Sequence, residues 1–364
     1  MIITRPQVVK QRSAFSPSKL RKSMTVLAAA SASLLLLASC AQGPAASDPS
    51  SPPANADPSS TPAAHEPLIE TSLVLGFTAG PNFAAPFAAI EEGYFAEEGL
   101  EVTIMQGGPS VEGESLVATG KTDFVFGGLP DVPGAVAQGL PLKAVLATNQ
   151  LTEFGLILDA DAGVKEPKDL VGKTLALSQF ATPTTLFEPF LNINGVNPDD
   201  VKVESVAGSA VVSALLSGKV DGSGGGGGTY VQVLEKDPTV EFMAYSDWGV
   251  DVLGAGLVTS TKLINENPEL VGAMVRAFVR GIEFTVENPE KAIEYEAKFF
   301  PDALNAYKNP ADALKFVTNL TQKPYGFMPP ELWTSTVDIL GEYGLLDDTS
   351  NPEQYYTNEF LPEK

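Results

Sequence analysis

"AIEEGYFAEEGLEV" (Ala89–Val102) reads as a helix that stops, turns twice and becomes a strand. A helix that runs back along a sheet has to end sharply, and Gly93 supplies the left-handed position favoured at a helix C-terminus. Tyr94 and Phe95 are placed to fold back onto apolar surface and pin the bend. Gly99 permits a second turn before Leu100-Glu101-Val102 begins a strand. The stretch is an αβ connection, and by itself it specifies no function.

The segments on either side repeat the pattern. Leu73, Leu75 and Phe77 alternate within 71–77, which predicts a strand, and 83–92 reads as the helix leading into the quoted bend. Strands are predicted over 101–105, 122–126 and 142–148. A helix is predicted over 110–119, with Ser110 as N-cap and Gly120 as its stop, and a short one within 131–139. Strands alternating with helices predict an α/β fold whose sheet is mostly parallel and covered on both faces. Further strands are expected at 173–177, 201–206 and 240–245, with helices at 184–194 and 209–217. Pro189 should kink the first of these helices or mark its real start. "ENPE" occurs at 266–269 and 287–290, where Asn suits an N-cap and Pro the first helical position. The first copy opens a long helix with Leu270, Met274, Phe278 and Ile282 on one core-facing stripe.

With 364 residues, the chain is long enough for two domains; it is 44% hydrophobic and carries a net charge of −22. That charge disfavours nucleic acid and anionic lipid surfaces as partners. Its N-terminus departs from the rest. Arg5, Lys10, Arg12, Lys19, Arg21 and Lys22 precede the apolar run "MTVLAAASASLLLL" (24–37), with no acid before residue 40. Residues 1–39 read as a signal peptide. "LASC" (37–40) resembles a bacterial lipobox, which implies lipidation of Cys40, the chain's only cysteine; the other reading is an ordinary signal that contains a cysteine. Cleavage leaves 17 cations against 45 acids, a net charge of −28. Residues 40–67 are rich in Pro, Ser and Ala and read as a tether from the anchor.

Absent residues restrict the chemistry. The only histidine, His65, falls in the tether, so the folded part has neither imidazole nor thiol. Ser-His and Cys-His nucleophilic pairs are thereby excluded, as are nearly all transition-metal sites. The two "GKT" triplets, at 120–122 and 172–174, lack the glycine that a phosphate loop needs five residues earlier; Ser115 and Pro167 stand there. Carboxylates are plentiful, but no spacing singles out a catalytic pair. The reading is therefore of a protein that is not an enzyme and needs no cofactor or metal. The run Gly224–Gly228 reads either as a flexible surface turn or as a loop whose backbone approaches a ligand, lying between a strand and a helix that begins at Thr229.

"PFAAIEEGYFAEEGLEVTIMQGG" (86–108), "LVATGKTDFVF" (116–126) and "DVPGAVAQGLPLKAV" (131–145) come in an order that resembles one group of ABC-importer proteins. These are the substrate-binding proteins for nitrate, sulfonate and taurine and for thiamine pyrimidines. "EPKDLVGKTLAL" (166–177), "LFEPFLNINGVNPDDVKV" (186–203) and "AGLVTSTKLINENPELVGAMVRAFVRGIEF" (255–284) continue the likeness. It implies a two-lobed periplasmic-binding-protein fold of type II with the ligand in the cleft. Residues 68–150 and 247–364 would form the first lobe with the C-terminal helices, and 151–246 the second, joined by crossings near 148–154 and 244–252. The pyrimidine-synthesising enzymes that share this fold depend on histidine, and this chain departs from them.

Five loops are expected at the cleft: 78–86, 127–132, 178–185, 222–230 and 246–251. None contains Lys or Arg. They offer Asn82, Phe83, Leu129, Asp131, Gln179, Phe180, Thr184, Thr185, Gly226, Tyr230, Asp247 and Trp248 as candidate ligand-binding residues. Aromatics together with carboxylates suit a flat ring bearing N–H donors. A sulfonate, taurine or nitrate anion held by helix N-termini is the second ligand choice. For the aromatics, core packing is the competing role, and Asp247 could equally cap a turn. The implied partners are a small-molecule ligand, an ABC permease with its cytoplasmic ATPase, and the membrane through the lipid on Cys40. The protein is expected to be a monomer on the extracytoplasmic face. A lipid-anchored sensor using the same fold is the other function class.

Overall fold

The computed structural model describes residues 67–363 except 109 and 180. The basic leader, Cys40, His65, most of the tether and Phe180 lie outside the described residues.

The strands are β1 (Ile69–Leu75), β2 (Leu100–Met105), β3 (Phe124–Gly128), β4 (Leu142–Ala147), β5 (Phe154–Leu158), β6 (Thr174–Ser178), β7 (Lys202–Val206), β8 (Gly222–Gly226), β9 (Glu241–Ala244) and β10 (Ala255–Ser260). They form two five-stranded sheets, ordered β2-β1-β3-β10-β4 and β7-β6-β8-β5-β9. In each, the fourth strand in that order runs antiparallel to its neighbours. That strand is the one delivered from the other sheet: β5 follows β4, and β10 follows β9. Each sheet with its helices makes one lobe.

The quoted bend is built as its glycines require. Helix α1 (Ala84–Glu91) ends before Gly93, with φ 77°, and the single-turn α2 (Tyr94–Glu97) ends before Gly99, with φ 79°. Phe95 is buried at 2% exposure. The Arg280 guanidinium lies 3.9 Å from the centre of the Tyr94 ring and reaches Glu97 at 2.7 Å, while Arg276 reaches Glu98 at 2.6 Å. The two aromatics and two glutamates thus fasten the αβ turn to a helix far along the chain.

The helices that follow are α3 (Ser110–Ala118), α4 (Val132–Ala137), α5 (Thr182–Thr185), α6 (Phe187–Ile193), α7 (Val211–Leu216) and α8 (Gly227–Leu234). Beyond β9 come α9 (Thr261–Glu266), α10 (Pro268–Glu287), α11 (Pro289–Phe299), α12 (Pro301–Leu304), α13 (Pro310–Thr318) and α14 (Pro330–Glu342). The predicted helix over 184–194 is divided between α5 and α6 at Leu186, and Pro189 falls in the first turn of α6, where a backbone N–H has no intrahelical partner to lose. Asn267 caps α10 as predicted, its side chain accepting from the Leu270 N–H at 3.2 Å. Asn288 holds the N-cap position of α11, but its side chain makes no capping bond; its Nδ2 donates back to the Phe284 carbonyl at 3.2 Å and closes α10 instead.

On one face of the first sheet Leu73, Leu75, Phe124 and Phe126 pack with Phe87 and the α10 stripe Leu270, Met274, Phe278 and Ile282. Phe126 sits edge-on to both Phe83 and Phe278, at 5.1 and 5.2 Å. On the other face Val74, Val125 and Val258 pack with Trp333 and Val337 of α14. The second lobe closes around Leu156, Leu158, Leu175, Leu177, Phe190 and Tyr245.

The glycine run departs from its sequence reading. Gly222–Gly226 are the central strand β8, and α8 starts at Gly227, two residues before the expected Thr229. A Cβ on Gly222 would come within 2.9 Å of Leu158 and Leu175, and one on Gly224 within 2.6 Å of Leu177. Glycine is needed there because the neighbouring strands' side chains already fill the space above the backbone.

Candidate functional site

The chain crosses between the sheets twice, and the two crossings bond to each other. Thr148 N–H donates to Ala255 O at 2.8 Å, Thr152 N–H to Val252 O at 3.0 Å, and Gly254 N–H to Asn149 O at 3.2 Å. Thr148, Asn149, Gln150, Thr152 and Glu153 are all buried. In front of this pair, the C-terminal ends of β1, β3, β6 and β8 open on a cavity of about 560 Å³. This is where open α/β sheets hold ligands, and the volume lies in the range of small-molecule sites.

Its walls come from both lobes. The first lobe supplies residues 76–80, Asn82, Phe83, Gly127 and Gly128, and the C-terminal region adds Asp302, Ala303, Ala306 and Tyr307. The second supplies Ser178, Thr182, Pro183 and Thr184, Val211 and Val212, the backbone of Gly224–Gly226, Thr229 and Gln232. Glu153 and Phe154 line it from the end of the first crossing. Phe77, Phe83, Phe154 and Tyr307 are the aromatics, and Lys236, exposed, is the one basic residue among the lining residues described.

The lobes touch each other beside the cavity. Asp131, in the turn after β3, accepts from Thr182 Oγ1 at 2.6 Å and from Thr185 Oγ1 at 3.1 Å. At the opposite wall Glu235, just past α8, accepts the N–H groups of Lys308 and Asn309 at 2.6 and 2.8 Å, capping the entry to α13. Gly227 approaches so closely that an added Cβ would sit 2.1 Å from the Phe316 ring of α13.

The candidates named from sequence separate into three groups. Asn82, Phe83, Thr184 and Gly226 line the cavity, Phe83 being 4% exposed with its edge on Phe126. Asp131 and Thr185 lie at the cavity's margin and bind each other across the lobes. The remaining described residues are elsewhere. Leu129 is fully buried in the α14-side core. Tyr230 points away from the cavity and stacks on Phe242 at 5.0 Å, with Phe316 at 5.7 Å. Gln179 is exposed and off the wall. Asp247 is exposed, and Trp248 packs on the second lobe's core, its carbonyl accepting from Asn194 Nδ2 at 3.0 Å. Both follow β9, an outermost strand, so their turn packs on α6 instead of reaching the central cleft.

Sequence reasoning missed Phe77, Glu153, Phe154 and Tyr307. An acid beside a phenylalanine at the start of a strand, "TEFGLIL" (152–158), is a faint signal for the middle pair; nothing local marks Tyr307. Burial pushes the Glu153 carboxyl up to about 7, with the Gly227 amide acting the other way. Tyr307 is held above the ordinary tyrosine range by burial first, then by Glu296 and Glu153. Glu296 on α11 and Glu114 on α3, both buried, are likewise raised by desolvation, and Asp131 adds to the effect on Glu114. The cavity wall therefore combines rings and hydroxyls with two acids, Asp302 and Glu153, the latter raised by burial. Among the described residues no group of three His, Cys, Asp or Glu is arranged to hold a metal ion.

Residues 80–292 match the sequence model of the family described as NMT1/THI5 like. The chain belongs to the NMT1/THI5-like family. That span takes in Asn82, both crossings and the glycine strand, and ends before Tyr307. Among its relatives, the riboflavin-binding protein RibY of Chloroflexus aurantiacus is 27% identical over 348 residues, 90% of this chain and 95% of RibY. The formylaminopyrimidine-binding protein of Halalkalibacterium halodurans is 24% identical over 283 residues, 75% of this chain and 84% of that protein. The periplasmic aliphatic sulphonate binding protein SsuA of Escherichia coli superposes with a TM-score of 0.64 over 81% of this chain and 94% of SsuA, at 15% identity. The last likeness establishes the two-lobed periplasmic-binding-protein architecture of this family member.

Proposed function

We propose that this protein is the extracytoplasmic solute-binding component of an ABC import system, and that its solute is a small heteroaromatic ring of flavin or thiamine-pyrimidine type. The observation that carries the ring reading is the wall of the 560 Å³ cavity: Phe77, Phe83, Phe154 and Tyr307 around bare glycine backbone, with Asn82 and several hydroxyls, and a single exposed lysine. Rings stack on such walls and satisfy their edge atoms with the neutral polar groups. A small anion gains little from a site with no buried cation. The ligands for which RibY and the formylaminopyrimidine-binding protein are named support ring ligands, and the aliphatic sulphonate binding protein SsuA keeps sulfonates as the competing class.

Capture works by differential affinity. The Asp131–Thr182 and Glu235–Asn309 contacts join the lobes in this structure, and a ligand touching both walls would favour a closed form over an open one. The closed form is then what a permease would accept. Lipidation of Cys40 and the tether would keep the protein at the membrane surface. No helix among the described residues is long and apolar enough to cross a membrane.

Thermal unfolding with riboflavin, an aminopyrimidine, taurine and nitrate tests the reading. A ring at a hundred times its Kd should stabilise the protein by about 2.7 kcal/mol, with no comparable shift from the anions. A larger shift with taurine or nitrate than with either ring overturns it.

A further inference from the structure

Glu153 stands where the first crossing enters β5, 3% exposed and on the cavity wall beside Phe154. Its carboxyl carbon is 3.4 Å from the position a Cβ on Gly226 would take, so it lies against the glycine strand's cleft end. The Gly227 amide hydrogen-bonds the carboxyl group, and Oε2 has no hydrogen-bond partner in the protein. Among the described residues no lysine or arginine forms an ion pair with it. Tyr307 lines the same cavity, and Glu296, Glu153 and Glu235 all act on it electrostatically. A carboxylate in that position would be a buried charge without a counter-ion, whereas a carboxylic acid would be a buried O–H without an acceptor. The second condition is the one a ligand can relieve: Glu153 lines the cavity, and because Oε2 is buried in this structure the carboxyl has to turn toward the cavity to meet an acceptor there.

We infer that Glu153 is a specificity-determining residue: it enters the closed cleft protonated and donates its O–H to a ring nitrogen or carbonyl oxygen on the edge of a neutral ligand. The inference rests on the ring reading above. It deepens that reading by naming the edge chemistry selected, which is a hydrogen-bond acceptor on an uncharged ring. Of the other charged groups on the cavity wall, Asp302 would disfavour an anionic ligand even when Glu153 is neutral, and Lys236 is exposed.

The carboxyl's folded-state value of about 7 makes the donor conditional. Below pH 7 the proton is present; above it the group ionises, the donor is lost and a charge faces the ring. Affinity should therefore be full at low pH and fall as pH rises. Tyr307, raised further above its ordinary range, stays neutral through this window. Glu296 titrates in the same direction, and only substitution of Glu153 separates the two.

The test is riboflavin binding to the full chain, followed by flavin fluorescence from pH 6 to pH 8.5, for wild type, Glu153→Gln and Glu153→Leu. Wild-type affinity should weaken about thirtyfold across that range, the fraction protonated falling through a pKa near 7. Glu153→Gln keeps an N–H donor that cannot titrate, so its profile should be flat and close to the wild-type value at pH 6. Glu153→Leu should bind weakly at every pH. A wild-type profile without slope, or a Glu153→Gln profile that keeps the slope, overturns the inference and leaves the ring reading standing. Infrared difference spectra of the wild type give a readout independent of the variants' folding. The protonated carboxyl stretch should move to lower frequency when riboflavin binds at pH 6, and an unmoved band counts against the inference. An aminopyrimidine is the second probe. If neither ring binds and taurine or nitrate does, the ring reading falls and the inference with it.

Discussion

Strands β3 and β8 occupy the same place in two sheets of the same order, each between a parallel neighbour and an antiparallel one. Their sequences are nearly opposite. β3 is Phe-Val-Phe-Gly-Gly, with Phe124 and Phe126 filling one face and Val125 the other. β8 is Gly-Ser-Gly-Gly-Gly, and the space above it is filled from outside by Leu158, Leu175, Leu177, Ile157 and Thr229. Both end in glycine where they meet the cavity: Gly127 and Gly128 on one side, Gly224–Gly226 on the other. Strand pairing is a property of backbone groups, so the ladder forms whether bulk comes from the strand or from its neighbours. The shared feature is the bare backbone at the cleft, where a side chain would occupy the cavity or hold the lobes apart.

Removing bulk from β3 should have the largest effect. Phe126→Ala leaves a hole between Phe83 and Phe278 and should cost about 3–5 kcal/mol in urea unfolding. Adding bulk to β8 should cost less. Gly224→Ala drives a Cβ to 2.6 Å from a Leu177 methyl, and overpacking of this kind typically costs about 1–3 kcal/mol. If Gly224→Ala instead stabilises the protein, the neighbours do not need that space and the contrast between the strands fails. The smallest effect, and the most specific, is expected at the shared glycine end. Gly128→Ala would place a Cβ 2.1 Å from Thr182 Oγ1 and 3.0 Å from Asp131 Oδ2, at the contact between the lobes. Ring binding by titration calorimetry should weaken about tenfold, or about 1.4 kcal/mol, with the urea midpoint little changed. A loss of stability without a loss of affinity would make Gly128 a core residue like Phe126.

The contrast also explains which parts of the sequence could be read. Phe124 and Phe126 announce a buried strand, and Gly93 and Gly99 announce the turns around α2, because each is a local preference expressed within a few residues. Five consecutive glycines express the opposite preference. They carry the largest backbone entropy cost and a low strand propensity, so they read as a loop until Leu177 and Leu158 are seen standing over them. The site divides along the same line. Asn82, Phe83, Thr184 and Gly226 follow strands in an alternating α/β pattern and could be placed near the strand ends from sequence. Tyr230 could not, since the face of α8 it occupies is chosen by Phe242 and Phe316, from two distant segments.

From its sequence alone, this protein is an α/β chain that lacks imidazole and thiol in its folded part, because composition and short-range periodicity carry that information; its two lobes are what the family resemblance implied. Tertiary structure alone decided that a glycine run is a central strand, that Asp131 joins the lobes, and that Glu153 and Tyr307 reach one cavity. Those outcomes depend on which surfaces meet after the chain has crossed between its sheets twice. Burial and the loss of hydration at such meetings are set by residues far away in sequence, which no local pattern records.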